Sequence, residues 1–167
     1  MAGILVPTPA TKSLTQLATG NLSGSASVTI SSISGSYQDL YIYVIGTQAA
    51  GGMPSLRFNG DTGNNYSGVN NNSTLNVYNG QSMVRMTDGT ISSSANSDFS
   101  SAYISNYYLS TTRKAILTQS TRAGTNSYDG SQGYGNWNDT SAITSVSITN
   151  TGGHSFTGGT YTLYGVK

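Results

Sequence analysis

A chain of 167 residues is the size of one ordinary domain and can bury a core without staples. It has no cysteine, which excludes disulfides and thiolate chemistry, and no glutamate. Charged residues make up 8% and the net charge is +1, so no basic stripe exists to displace phosphate counterions, and nucleic acid is not an expected partner.

No stretch approaches the ~20 apolar residues that span a bilayer, so no membrane partner is expected. The start, MAGILVPTP, has no cationic n-region and is not read as a secretory signal. Ser, Thr, Asn and Gly make up about half of the chain. Such a composition fits either disorder or a β-protein with small polar exteriors. The 12 tyrosines and the periodic apolar runs favour the β-protein.

Residues 1–24 read as an N-terminal arm. Pro7 and Pro9 hold its start extended. Leu14 and Leu17, three apart, predict a turn or two of helix ending at Gly20. From residue 25 the period becomes two. SASVTISSI alternates Val28 and Ile30 with Ser and Thr. In DLYIYVIGT, Leu40, Ile42 and Val44 take one face, and Tyr41, Tyr43 and Ile45 the other. Both faces are apolar, which predicts a central strand.

LRFNGDTGNNYS, residues 56–67, begins as a short strand. Asp61, Gly63 and Asn65 alternate faintly like a calcium loop, but calcium takes roughly six to eight oxygens and Asp61 is the only acid in reach. A turn is the better reading. Asn59-Gly60 supplies positive φ, and Asp61 bonds the backbone amides just ahead of it. Arg57 is expected to meet a nearby carboxylate.

STLNVYNGQSMVRM carries Asn79-Gly80 between two alternating runs, a two-residue hairpin signal. A type I′ turn there pairs Tyr78 with Gln81, Val77 with Ser82 and Leu75 with Val84. Leu75, Val77, Val84 and Met86 then share one face.

Strands follow at SAYISNYYL and KAILTQS. RAGTNSYDGSQGYGNWNDTS reads as a long glycine-rich loop, and AITSVSIT and TYTLYGV close the chain. The pattern predicts an all-β antiparallel sandwich, jelly-roll-like, of about eight or nine strands over residues 25–167.

Catalytic residues are hard to find. His154 is the single histidine and sits among glycines; no G-x-S-x-G elbow is present, and the six aspartates are dispersed. The chain is not read as an enzyme and is expected to need no metal or cofactor. GYGNWND is the one stretch with recognition chemistry. Tyr134 and Trp137 among Asn136, Asn138 and Asp139 suit a glycan, with aromatic faces for the rings and amides and a carboxylate for the hydroxyls. The competing reading packs Trp137 into the sandwich edge or a subunit interface.

Several fragments together resemble a family of tailed-bacteriophage virion proteins, notably from phages of marine and cyanobacterial hosts. They are SISGSYQDLYIYVIGT, LRFNGDTGNNYS, ISNYYLSTTRKAIL, NWNDTSAITSVSIT and FTGGTYTLYGVK. The resemblance runs from about residue 26 to the last residue, 167. It implies a β-sandwich virion-surface component, made in the host cytoplasm, with no enzymatic role. The chain shows no shaft, coiled coil or collagen-like repeat. One sandwich with an arm suits a capsid decoration (cement) protein bound to the major capsid protein or another virion protein. The alternative is a head- or tail-fibre knob that binds a host glycan. Copies packed about an axis would cover sheet edges and surplus tyrosines, and a homotrimer is the expected assembly.

Overall fold

The computed structural model describes residues 13–49, 51–72, 74–88, 97–123 and 128–167. Twelve strands run in chain order: β1 (Leu14–Asn21), β2 (Ser27–Ile30), β3 (Asp39–Ala49), β4 (Pro54–Phe58), β5 (Tyr66–Asn71), β6 (Leu75–Gln81), β7 (Val84–Arg85), β8 (Ser97–Ile104), β9 (Lys114–Ala123), β10 (Tyr128–Trp137), β11 (Val146–Asn150) and β12 (Phe156–Val166). Eight form a wide sheet in the order β1-β12-β3-β8-β9-β10-β5-β6. Four form a narrow one in the order β2-β11-β4-β7. The pairings in both are antiparallel. The all-β sandwich is thus as expected. The strand count among the described residues is higher than the expected eight or nine, and the strands divide eight and four.

The core lies between the sheets. Leu40, Ile42 and Val44 of β3, Ile104 of β8, Ile116 of β9 and Leu163 of β12 face inward from the wide sheet. Leu56 and Phe58 of β4, Val84 of β7, and Val146 and Ile148 of β11 meet them from the narrow one. Every residue of β11 is buried, and Ser147 satisfies its hydroxyl on Thr29, 2.8 Å away. Lys114 is also fully buried. Its Nζ donates to the carbonyls of Leu109 at 2.7 Å, Thr112 at 2.5 Å and Thr140 at 3.0 Å, which ties the β8–β9 loop to the β10–β11 loop.

Three sequence expectations are overturned. The helix over Leu14 and Leu17 is instead β1, an end strand paired to β12 from Leu14↔Val166 to Asn21↔Thr160. A bulge between Gln16 and Ala18 resets its faces, which is how Leu17 reaches the core while Leu14 stays open. Gly20 is no helix stop. A Cβ there would lie 2.8 Å from the Tyr161 hydroxyl, so glycine makes room for that ring. The described part of the expected arm therefore belongs to the sandwich: Leu22 is fully buried and its amide bonds Gly159 O at 2.9 Å. Residues 1–12 lie outside the described residues.

Asn79-Gly80 is not a hairpin turn. β6 runs through it, pairing Tyr78 with Gly68 and Gln81 with Tyr66 on β5. Two residues stand opposite one, a bulge with Gly80 at φ 61°. The chain then crosses to the narrow sheet, where Val84 pairs with Leu56. Leu75 and Val77 consequently face solvent at 63% and 67% exposure while Val84 and Met86 are buried, so the four do not share a face.

The predicted glycine-rich loop contains β10, a ten-residue strand between β9 and β5. Its glycines are steric requirements. A Cβ on Gly133 would lie 2.0 Å from Asn70 Oδ1, and one on Gly135 would lie 2.2 Å from Val84 Cγ2. Glycine lowers strand propensity, but here it lets neighbouring side chains close onto the sheet's inner face.

Candidate functional site

The 56–67 stretch is a buttressed turn. Asn59 and Gly60 take φ 51° and 69°, and Asp61 N bonds Phe58 O at 2.9 Å. Asn59 reaches across to the segment before β11: its Nδ2 donates to Ala142 O at 2.8 Å, and its Oδ1 accepts from the amides of Thr144 at 2.8 Å and Ser145 at 3.1 Å. Asp61 Oδ1 accepts from Gly63 N at 2.8 Å, and Oδ2 accepts from Trp137 Nε1 at 2.6 Å and Asn65 Nδ2 at 3.0 Å. Burial raises the Asp61 carboxyl, but those three donors, with Arg57 nearby, hold it below the ordinary range. Arg57 itself donates from Nε to Ser82 O at 3.1 Å.

Trp137 is 1% exposed. Its ring packs on Phe58 and Tyr66, with centroids 5.6 Å and 6.4 Å away. The Tyr66 hydroxyl accepts from Phe58 N at 2.9 Å and donates to Asp61 O at 3.3 Å; burial, the largest influence, pushes its pKa up to about 12. The packed reading of Trp137 is therefore the one observed.

The proposed glycan cluster does not come together. Trp137 points into the core, whereas Tyr134, on the same strand but an odd number of residues away, points outward at 60% exposure. Asn136 also faces outward, and its Nδ2 donates to Asn138 Oδ1 at 2.9 Å. His154 is exposed in the β11–β12 loop. Among the described residues, no group of three or more His, Cys, Asp or Glu side chains could hold a metal ion.

What the fold does assemble is the outer face of the wide sheet. Register partners line up across all eight strands as Gln16, Tyr164, Tyr41, Tyr103, Leu117, Tyr134, Val69 and Val77. Seven of these eight are aromatic or aliphatic. A second row runs Thr19, Thr162, Tyr43, Ser101, Gln119, Gln132, Asn71 and Leu75. A third runs Asn21, Thr160, Ile45, Phe99, Thr121 and Gly130. No member of the three rows carries a charge.

The aromatic half of this face is ordered by ring contacts. Tyr43 stacks on Phe99 and on Tyr164, each at 6.1 Å, and lies 6.2 Å from Tyr41. Thr162 and Tyr164 beside it draw the Tyr43 phenol below its usual value. Tyr103 donates to Asp39 Oδ2, and Asp39 Oδ1 accepts from Asn106 N at 2.8 Å. Burial, then the Asp39 hydrogen bond and charge, push Tyr103 up to about 12. It stays a neutral donor at ordinary pH.

Between the first two rows lies a shallow groove of about 260 Å³, lined by Tyr41, Ser101, Tyr103, Leu117, Gln119, Gln132, Gly133 and Tyr134. A second depression of about 510 Å³ shares Gln119 and Gln132 and extends past Phe99 and Gly130. Aromatic edges, amides and hydroxyls of this kind bind by contact and hydrogen bonding. Comparison with protein-family models, with curated proteins and with solved structures finds no match for this chain.

Sequence reasoning had the signal for this face in DLYIYVIGT. A strand apolar on both sides expects a cover on both sides, and among the described residues β3 has one only on the side of Leu40, Ile42 and Val44. The rest of the face depends on sheet order, which brings residue 69 beside residue 134 and residue 41 beside residue 164.

Proposed function

We propose that this chain is a structural protein of a tailed-phage particle, a decoration protein that sits on the head surface and reinforces the shell. The observation that carries the proposal is a wide sheet that the described residues leave open on its outer face and along both end strands. Its outer face carries one long apolar row beside rows richer in hydroxyls and amides, with no charged side chain in the three, and its end strands β1 and β6 each have one partner within the sheet. A decoration protein must touch both the shell and its own neighbours, so it needs more than one contact surface. Open strand edges invite pairing with other chains, and a long apolar face invites cover. The resemblance to phage virion proteins supplies the particle, and the major capsid protein or another virion protein is the natural partner.

Quantitative mass spectrometry of purified particles of the encoding phage tests this. Decoration predicts copies numbered in the hundreds and particles that lose heat resistance when the protein is stripped off. Absence from the particles would overturn the proposal. Truncation of residues 1–12, rather than 1–24, tests whether the chain start contributes, because the longer deletion removes β1 and Leu22.

The second reading, a knob that binds a neutral host glycan, is favoured by the groove at Tyr103 and Tyr134 with Gln119 and Gln132 alongside. It predicts few copies per particle and adhesion to host cells that Tyr134→Ala abolishes.

A further inference from the structure

We infer that the outer face of the wide sheet is covered by a second copy of the same chain, the two sheets apposed face to face about a two-fold axis. Three observations choose this occupant.

The first is extent. Seven inter-strand spacings of ~4.8 Å make the face ~34 Å wide, and three rows two residues apart make it ~20 Å deep with side chains, or roughly 700 Å². A standard protein interface takes ~800 Å² from each partner. The groove, by contrast, spans only β3, β8, β9 and β10, so a ligand confined to it leaves Val69, Val77 and Leu75 open.

The second is charge. With no ionised side chain in the three rows, the face meets its own copy without like-charge repulsion. Its polar groups are Thr, Ser, Gln and Asn, each both donor and acceptor, and such groups can pair with themselves. An acidic or basic partner would find no complement here.

The third is relief. The β12–β3–β8 half carries the large rings Tyr164, Tyr41, Tyr43, Tyr103 and Phe99. The β9–β10–β5–β6 half carries the lower Leu117, Val69, Val77 and Leu75, with Tyr134 its one ring. An axis running along the strands above the β8–β9 boundary sets the tall half of each copy on the low half of the other. The gap then stays near the ~10 Å of packed sheets. Three such faces, each ~34 Å wide and set edge to edge around a three-fold axis, would put their central strands ~17 Å apart and leave Leu117 and Tyr103 uncovered. The two-fold pair therefore replaces the trimer that the resemblance implies. Contact with the shell falls to the strand edges and to surfaces outside the pair.

Sedimentation equilibrium of the full chain from low micromolar to ~200 µM tests this without any particle present. The expected result is a dimer that persists at ~1 M salt, where surface ion pairs are screened. Leu117→Asp, at a site 51% exposed and so not needed for folding, should weaken it at least ~30-fold, the loss typical of a central contact residue. Leu117→Ser is the milder alternative if the acid prevents folding. Tyr108→Asp, at an exposed residue outside the three rows, should change nothing. A monomer throughout, a trimer, or a dimer indifferent to both Leu117 variants or equally broken by Tyr108→Asp would overturn the inference. None of these results bears on copy number in particles, so the two proposals fail separately.

Discussion

Two clusters of aromatic rings sit on opposite faces of the wide sheet, and their difference separates what holds the molecule together from what it presents. Phe58, Tyr66 and Trp137 form the inner one. All three are buried, and the Trp137 N–H and the Tyr66 hydroxyl are both satisfied within the Phe58–Tyr66 turn. Tyr41, Tyr43, Tyr164 and Phe99 form the outer one, half-buried and aligned along register rows, two of which end in open Leu75 and Val77. The inner rings close a loop onto the core. The outer rings are stacked on each other and cover nothing behind them but the sheet. Similar side chains thus do cohesive work on one side and are held out for contact on the other.

The comparison breaks most visibly at Trp137. Trp137→Ala should cost ~3–5 kcal/mol, because it leaves a large cavity beside Phe58 and Tyr66 and takes a donor from Asp61. Chemical denaturation would show it as a lower midpoint with unchanged slope. Gly135→Ala comes next, at ~1–3 kcal/mol, since its methyl would drive into Val84 unless the narrow sheet shifts. The same measurement checks it, and an unchanged midpoint would mean that Val84 gives way freely.

The Asp61 carboxyl offers a smaller and pH-dependent effect. Its folded value lies below the unfolded one. Its contribution is therefore fully present above the unfolded value, ~3.9, and disappears as pH falls through the lower folded value. Melting temperature followed from pH 6 downward should drop more steeply in the native chain than in Asp61→Asn. The variant itself should lose ~1 kcal/mol at neutral pH, one charge-assisted hydrogen bond being weakened. The outer face predicts the least. At concentrations low enough to keep the chain monomeric, Tyr134→Ala and Val77→Ser should each stay within ~0.5 kcal/mol, as exposed substitutions do. A loss on the scale of Trp137→Ala at either position would erase the distinction between the two faces.

The sequence made part of this visible. Period two in DLYIYVIGT and in AITSVSIT located β3 and β11, because both carry an unbroken alternation of β-branched or aromatic residues and each lies between two neighbouring strands. Asn59-Gly60-Asp61 was legible as a turn because its chemistry is local: positive φ and an aspartate bonding the amide two residues on. β10 was not legible, since its glycines answer to Asn70 and Val84, residues far away in the chain. Asn79-Gly80 misled for a related reason. The dipeptide asks for a positive-φ residue, and a bulge supplies that need as well as a hairpin does. The Tyr134–Trp137 pairing as a single site failed on strand geometry alone, once β10 is known to be a strand. The long apolar row required the complete strand order, and no local pattern encodes that.

The glycines of β10 also separate two kinds of inheritance on one strand. Gly133 and Gly135 admit no side chain on the inner face, while Gln132, Tyr134 and Asn136 between and beside them point away from everything that stabilises the fold. Substitutions can accumulate at the second set while the first stays fixed. The outward set can therefore change what the sheet contacts without changing how the chain folds.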